Sequence, residues 1–115
     1  MLRGDIWLVD LNPVRGSEAN KRRPAVVVSN DRANTTAVAL GRGVVTVVPL
    51  STNVNKVYPF QVFLAAIATE LPADSKAQVE LVRSVALERL RRAVGRVSPQ
   101  DMVRIDAALR LHLDL

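Results

Sequence analysis

Apolar and polar positions along this chain fall into short blocks, and the length of each block is the first guide to its elements. "DIWLVDL" (Asp5 to Leu11) is a run of mostly β-favouring residues that stops at Asn12-Pro13, a pair that favours a turn. Residues 12–22, "NPVRGSEANKR", make a polar loop. Pro24 then opens a second strand, Ala25 to Ser29, whose unbroken apolar run predicts burial on both faces. The stretch 30–43, "NDRANTTAVALGRG", has no clear period and reads as a long connection. "VVTVVPL" (44–50) is a third strand, with Pro49 predicting a sheet edge or a termination. After the polar loop "STNVNK", "YPFQVFL" (58–64) gives a fourth strand with alternating faces and "ELPADSKA" (70–77) a turn. "QVELVRSV" (78–85) reads as a fifth strand and "ALERLRRA" (86–93) as a short helix.

The last segment is the clearest. Ser98 before Pro99, with Asp101 three residues after the serine, is a helix start: a capping hydroxyl, a proline at the first helical position and an acid in the first turn. Met102, Ile105, Leu109 and His112 follow at spacings of three, four and three, one stripe of an amphipathic helix. Five strands and a terminal helix predict a mainly-β or α+β domain built on a small, mostly antiparallel, barrel-like sheet, not a βαβ fold. Without repeat, low-complexity tract or linker, residues 1–115 are expected to form a single domain.

Composition narrows the chemistry. No apolar run approaches the length needed to span a bilayer, and Arg3 and Asp5 interrupt the opening residues, so a soluble, cytoplasmic protein is expected. With no cysteine there is no disulfide, thiolate nucleophile or Cys-ligated zinc. The single histidine, His112, sits on the apolar stripe of the last helix, where a packed or partner-facing imidazole is expected, so a Ser-His-Asp triad or a histidine-based nuclease is excluded. Asp5, Asp10, Glu18 and Asp31 form no recognisable metal-ligand spacing; strand caps or ion-pair partners are favoured over convergence in space on a metal, and no metal or cofactor is expected. Gly16, Gly41 and Gly43 precede no G-K-[ST], which removes the phosphate-binding loop of nucleotide hydrolases.

What remains is charge and hydroxyl groups. The net charge is +5, and thirteen of the sixteen cations are arginine, whose planar fork suits phosphate. Most of the excess lies in residues 1–56, where "KRRPAVVVSND" packs Lys21, Arg22 and Arg23 against the mouth of the second strand. Pro24 steers Arg23 toward an extended backbone, and the buried strand behind it makes that anchor stiff. Two readings of these cations stand side by side: a fixed anion site, or an ion pair of Arg22 or Arg23 with Glu18 or Asp31 at the sheet rim. Ser51 and Thr52 leave the third strand as a pair of hydroxyls, able to donate to a phosphate or to bond their own backbone.

Four stretches, "RGDIWLVDLNPVRGSE", "RRPAVVVSND", "VVPLST" and "YPFQVFL", resemble in order and spacing the MazF/PemK toxins of bacterial toxin–antitoxin modules. The likeness continues through "LPADSKAQVELVRSV" to the capped final helix, nearly the whole chain. The resemblance implies a small SH3-like antiparallel β-barrel with a C-terminal helix, of the type shared with the gyrase poison CcdB. It implies a homodimer acting as a sequence-specific, metal-independent endoribonuclease, an mRNA interferase that cuts single-stranded RNA to 2′,3′-cyclic phosphate and 5′-hydroxyl ends. A cognate MazE-like antitoxin is the expected inhibitor, with DNA binding only through the antitoxin complex and no membrane partner. Carried over by motif, the catalytic residues are Arg23, Ser51 in place of the family's threonine, and Glu18 of the G-S-E loop. Arg15, Lys21, Arg22, Thr52 and Asn53 are the expected RNA-binding residues. Serine keeps the hydroxyl but drops the methyl that restricts its rotamer, so Thr52 competes with it for the donor role. A CcdB-like toxin that binds DNA gyrase without catalysis is the alternative.

Overall fold

The computed structural model describes residues 1–11 and 22–115. Seven strands among these residues form an antiparallel sheet: β1 (Asp5–Asp10), β2 (Arg22–Val27), β3 (Val44–Ser51), β4 (Gln61–Leu64), β5 (Ser75–Gln78), β6 (Arg83–Ala86) and β7 (Leu90–Arg96). The order across the sheet is β4-β5-β3-β2-β1-β7, and β6 adds to β3. Three α-helices accompany them: α1 (Asp31–Leu40), α2 (Ala66–Thr69) and α3 (Pro99–Leu113).

The valine-rich second block is buried on both sides, as its unbroken apolar run predicted. Val26 and Val28 face a core with Ile6, Val48, Leu64 and Ile105, onto which α3 packs. Ala25 and Val27 point the other way, into a second core with Val9, Leu11, Val45, Val47 and Val85. Successive side chains of a strand alternate faces, so β2 and β3 each serve both cores. The buried residues of both cores are aliphatic. Tyr58 is exposed and stacks on Phe60 with ring centroids 5.4 Å apart, while Trp7 only flanks the second core.

α3 begins as expected: Ser98 accepts the Asp101 N–H, Pro99 starts the first turn, and Ile105 is fully buried with Met102 and Leu109 packed beside it. His112 departs from its stripe. It lies exposed in the last turn, within a terminal stretch, residues 110–115, that is exposed throughout.

Other segments correct the sequence reading. The stretch 30–43 contains α1, started by the Asn30 side chain accepting the Ala33 N–H and stopped by Gly41 in the left-handed conformation at φ 66°. Only Asn34 and Ala37 are buried on it, and Asn34 is held by Ser29 through two bonds of 2.5 and 2.9 Å. A polar residue at the core position erased the apolar period. The predicted fifth strand divides into β5 and β6 around a 3₁₀ turn at Val79–Leu81, and the turn before it gives up Ser75–Ala77 to β5. "ALERLRRA" is not a helix: after a 3₁₀ turn at Leu87–Arg89 the chain enters β7, whose pairing with β1 overrides local helix propensity.

Of the two readings of Pro49, the edge does not hold, since β3 is central; the termination does, since the ladder with β2 ends at Ala25–Pro49 and β3 ends at Ser51. The Val28 N–H donates to the Thr46 carbonyl at 2.9 Å, which makes 28/46 a hydrogen-bonded pair. Pairs alternate along an antiparallel ladder, so the nitrogen of Pro49 faces away from β2. On that side β3 changes partner, from β6 opposite Val44–Val47 to β5 opposite Leu50–Ser51. The proline occupies the gap where no ladder donor is required.

Candidate functional site

β2 starts at Arg22, three residues earlier than the apolar run, and this fixes how its cations point. Arg22 and Arg23 are adjacent on an extended strand, so they leave opposite faces. Arg22 pairs in register with Asp10, and its Nε donates to Asp10 Oδ1 at 3.0 Å. The rim ion pair expected with Glu18 or Asp31 forms with Asp10 instead; Asp31 Oδ1 accepts the Arg3 N–H at 2.6 Å, and Glu18 lies outside the described residues. Arg23 faces the side of the second core, stays half-buried, and makes no ion pair among the described residues.

The same alternation explains a cleft beside it. The 24/50 pair would be hydrogen-bonded, but Pro24 has no N–H to give to Leu50, and the ladder between β2 and β3 ends at Ala25–Pro49. Carried two residues further, the register sets Arg23 opposite Ser51. The strands part there around a cavity of about 250 Å³ lined by Arg23, Pro24, Leu50, Ser51 and Thr52. Arg23, Ser51 and Thr52, predicted from separate motifs, thus meet. Ser51 Oγ accepts the Asn53 N–H at 3.2 Å, which holds the side chain in place of the missing methyl and leaves the hydroxyl proton free to donate outward. Asn53 is exposed, its Oδ1 accepting from the Asn55 N–H at 3.3 Å. Arg15, Glu18 and Lys21 lie outside the described residues.

Arg23 also borders a second cavity of about 280 Å³, shared with Leu11, Pro49, Leu81 and Arg83. This cavity opens where Pro49 interrupts the other side of β3. Neither Arg83 nor its neighbours drew attention in the sequence, because residues 57–115 are nearly balanced in charge. The fold returns their cations to the end of β1: Arg83 Nη1 donates to the Leu11 carbonyl at 2.7 Å, Arg89 Nη1 to the Asp10 carbonyl at 3.3 Å, and Arg91 pairs with Asp10 Oδ2. No sequence signal short of the strand order would have gathered them.

Asp10 organises this cationic end. Only 5% exposed, it binds Arg22 and Arg91 together. The hydrogen bond from Arg91, aided by the charges of Arg91 and Arg22, holds its carboxyl below the usual aspartate range against the opposing effect of burial. A carboxyl depressed in the folded state stabilises the protein above its unfolded pKa of about 3.9, and that contribution is lost as pH falls through the folded value. Asp10→Asn should accordingly melt below the parent protein at neutral pH, with the gap starting to narrow below about pH 4 and closing as pH falls through the depressed folded value, where Asp10 is at last uncharged. A gap that stayed constant in melts from pH 7 to pH 3 would remove the ion pairs as its cause.

Among the described residues, no three His, Asp or Glu side chains come together as a metal site, and no helix is long and apolar enough to cross a membrane.

The chain is similar to known proteins in both sequence and fold. Residues 2–113 match the family of PemK-like, MazF-like toxins of type II toxin–antitoxin systems. The chain is 64% identical over 115 residues to Endoribonuclease MazF9 of Mycobacterium tuberculosis (strain ATCC 25618 / H37Rv), covering all of this chain and 98% of the relative. In fold it is similar to an endoribonuclease in complex with its cognate antitoxin from a mycobacterial species, with a TM-score of 0.79 at 23% identity over 100% of this chain and 96% of the other. MazF from Deinococcus radiodurans gives a TM-score of 0.78 at 21% identity, covering 100% and 97% of the two chains. With a shared sequence pattern over nearly its full length and a shared sheet and terminal helix, this chain belongs to the PemK-like, MazF-like toxin family of type II toxin–antitoxin systems.

Proposed function

We propose that the protein is a sequence-specific endoribonuclease toxin that cuts single-stranded RNA at the cleft between β2 and β3. The observation that carries this reading is the meeting of Arg23 with the Ser51 and Thr52 hydroxyls in one cavity. The name of its 64% identical relative, an endoribonuclease, supports it. Membership of this family favours RNA cleavage over the gyrase-binding alternative.

In the proposed reaction the 2′-oxygen of one ribose attacks the adjacent phosphorus and the bond to the 5′-oxygen of the next nucleotide breaks. A 2′,3′-cyclic phosphate forms; the 2′-hydroxyl proton leaves with a base, and the departing 5′-oxygen takes up a proton. Negative charge grows on the non-bridging oxygens, where a guanidinium and a hydroxyl donate charge-assisted hydrogen bonds without titrating. Arg23 and Ser51 fill those two positions. With a pKa above about 12, Arg23 serves the charge and is a poor proton acceptor at neutral pH. Glu18 is the carboxylate that the G-S-E motif offers for the reaction, while Arg15, Lys21, Arg22, Thr52 and Asn53 bind the RNA strand. Charge stabilisation by an arginine makes the reaction independent of metal and cofactor.

The protein acts in the cytoplasm as a homodimer. An antitoxin restrains it, as the mycobacterial relative is found with its cognate antitoxin. Because the end of the sheet near Asp10 is rich in arginine, an acidic antitoxin segment fits it better than a basic one. Any DNA contact belongs to the toxin–antitoxin complex.

The test is incubation of the purified protein with a long single-stranded RNA in EDTA, with the cut sites and end groups determined. Discrete cuts bearing cyclic phosphate are expected; activity that returned only with added magnesium would overturn the mechanism. A second experiment separates the two hydroxyls. Ser51→Ala should lose about 10²-fold or more in kcat, Ser51→Thr should retain activity, and Thr52→Ala should change mainly KM. The reverse pattern would make Thr52 the donor.

A further inference from the structure

The larger cavity next to Arg23 carries more than the proposed reaction uses. It is lined by three apolar residues, Leu11, Pro49 and Leu81, and by two guanidinium-bearing side chains, Arg23 and Arg83. Leu81 is 45% exposed, so its side chain is open to a ligand in the cavity. Its volume of about 280 Å³ is close to the lower bound of small-molecule sites, about 300 Å³, and suits one nucleoside.

The strand register says how far apart the two cations are rooted. Val47 of β3 pairs with Val27 on one side and with Arg83 on the other, while Arg23 lies four residues before Val27 on the same strand. The Cα atoms are therefore separated by roughly 13 Å along the strands and about 10 Å across them. Both side chains leave the same face of the sheet, that of the second core, and reach the cavity from different sides. That separation suits two different phosphates better than two oxygens of one.

Charge points the same way. Asp10 occupies Arg22 and Arg91, whereas no carboxylate of the described residues lines the cavity of Arg23 and Arg83. Two like charges around one cavity repel each other until an anion lies between or beside them. Arg83 spends one of its five N–H donors on the Leu11 carbonyl, which fixes the guanidinium at the rim and leaves the others for a ligand.

We propose that this cavity is a nucleotide subsite: the nucleoside next to the cut bond rests on Leu11, Pro49 and Leu81, and Arg83 grips the phosphate one nucleotide away from the cut. The inference rests on RNA cleavage at Arg23 and Ser51. Arg23 stands at the junction of the two cavities, so the cut phosphate lies between a nucleoside in each. Arg83 is then a binding residue that sets the register of the strand over the cleft, and it takes no part in bond making.

The experiment uses the full chain and a short RNA built around a cut site mapped in EDTA, with each phosphate near the cut replaced in turn by an uncharged methylphosphonate. In the wild type, one of the two phosphates adjacent to the cut is expected to cost roughly 10- to 100-fold in kcat/KM, the loss of a charge-assisted bond. Arg83→Ala should lose a similar factor on unmodified RNA, mainly in KM, with kcat at saturation within about threefold, and should no longer respond to that methylphosphonate. Arg83→Gln, which keeps a donor for the Leu11 carbonyl, should behave the same way and separates charge from folding. If neither adjacent phosphate matters in the wild type, or if both Arg83 variants stay as sensitive as the wild type at every position, the subsite is wrong. Failure of the wild type to cut RNA at all, or full activity in Arg23→Ala, would instead overturn the parent reading.

Discussion

Replacing Arg23 by alanine is expected to remove about 10²–10³-fold or more of RNA cleavage, the usual loss on deleting one preorganised donor to a developing oxyanion, while the protein stays folded. Two features of the site set this magnitude. Arg23 is half-buried at the opening of the ladder, so its guanidinium is held in a partly dry setting where a charge-assisted bond is strongest. Pro24 and the buried run Ala25–Val28 behind it allow the backbone little freedom to drift. Arg23 also stands apart from Asp10, whose ion pairs with Arg22 and Arg91 persist in the variant. The loss should therefore appear in kcat with an unchanged melting temperature. Arg23→Lys, which keeps charge but not the planar fork, should recover only a small part of the rate. The measurement is single-turnover cleavage of RNA by wild type and variants alongside thermal melts; a drop in melting temperature matching the drop in rate would assign the residue to the fold.

The largest loss of stability is expected from a residue far from that site. Gly95 of β7 pairs with Ile6, and a Cβ there would come within 2.3 Å of the Thr69 carbonyl oxygen. The obstacle is backbone, not a side chain that can turn aside. Thr69 ends α2, is fully buried, and has its hydroxyl 3.3 Å from the Ala65 and Ala66 carbonyls. Glu70 follows at φ 68°, a left-handed conformation that already limits how the turn can move. Gly95→Ala should cost at least the upper part of the usual overpacking range of about 1–3 kcal/mol. For a domain of this size that lowers the melting temperature by roughly 4–6 °C per kcal/mol. A melting temperature within about 2 °C of wild type would mean that the α2 turn yields at little cost. The antiparallel pairing of β1 with β7 and the packing of α3 would then be insensitive to the position of α2.

Legibility of the fold followed the strength of the local signal. The capped start of α3 and the double burial of β2 were readable because each rests on neighbouring residues: Ser98, Pro99 and Asp101 in one case, four consecutive apolar side chains in the other. α1 was hidden because Asn34, a polar side chain, occupies its buried position through bonds to Ser29. β7 was mistaken for helix because "ALERLRRA" has helical composition, and only the free edge of β1 makes it a strand. Pro49 pointed to a sheet edge or a termination, and the choice between them was hidden because a sequence does not show that β3 changes partners at that residue.

For the site, the sequence alone determined the identity of the groups: an arginine locked by a following proline, a hydroxyl pair at the end of an apolar strand, and a basic balance with neither cysteine nor an available histidine. These are local or compositional properties, and no tertiary contact is needed to establish them. Only the folded chain decided which groups work together. Arg23 and Ser51 are opposite because the β2–β3 register fixes them there, and the cleft exists because Pro24 ends their ladder. Arg83 and Arg91 join from the far half of the chain, while Asp10 engages Arg22 and Arg91 and leaves Arg23 outside its pairs. Such choices depend on strand order and register, which arise from burying two apolar faces at once, a condition on the whole chain that no short stretch of it contains.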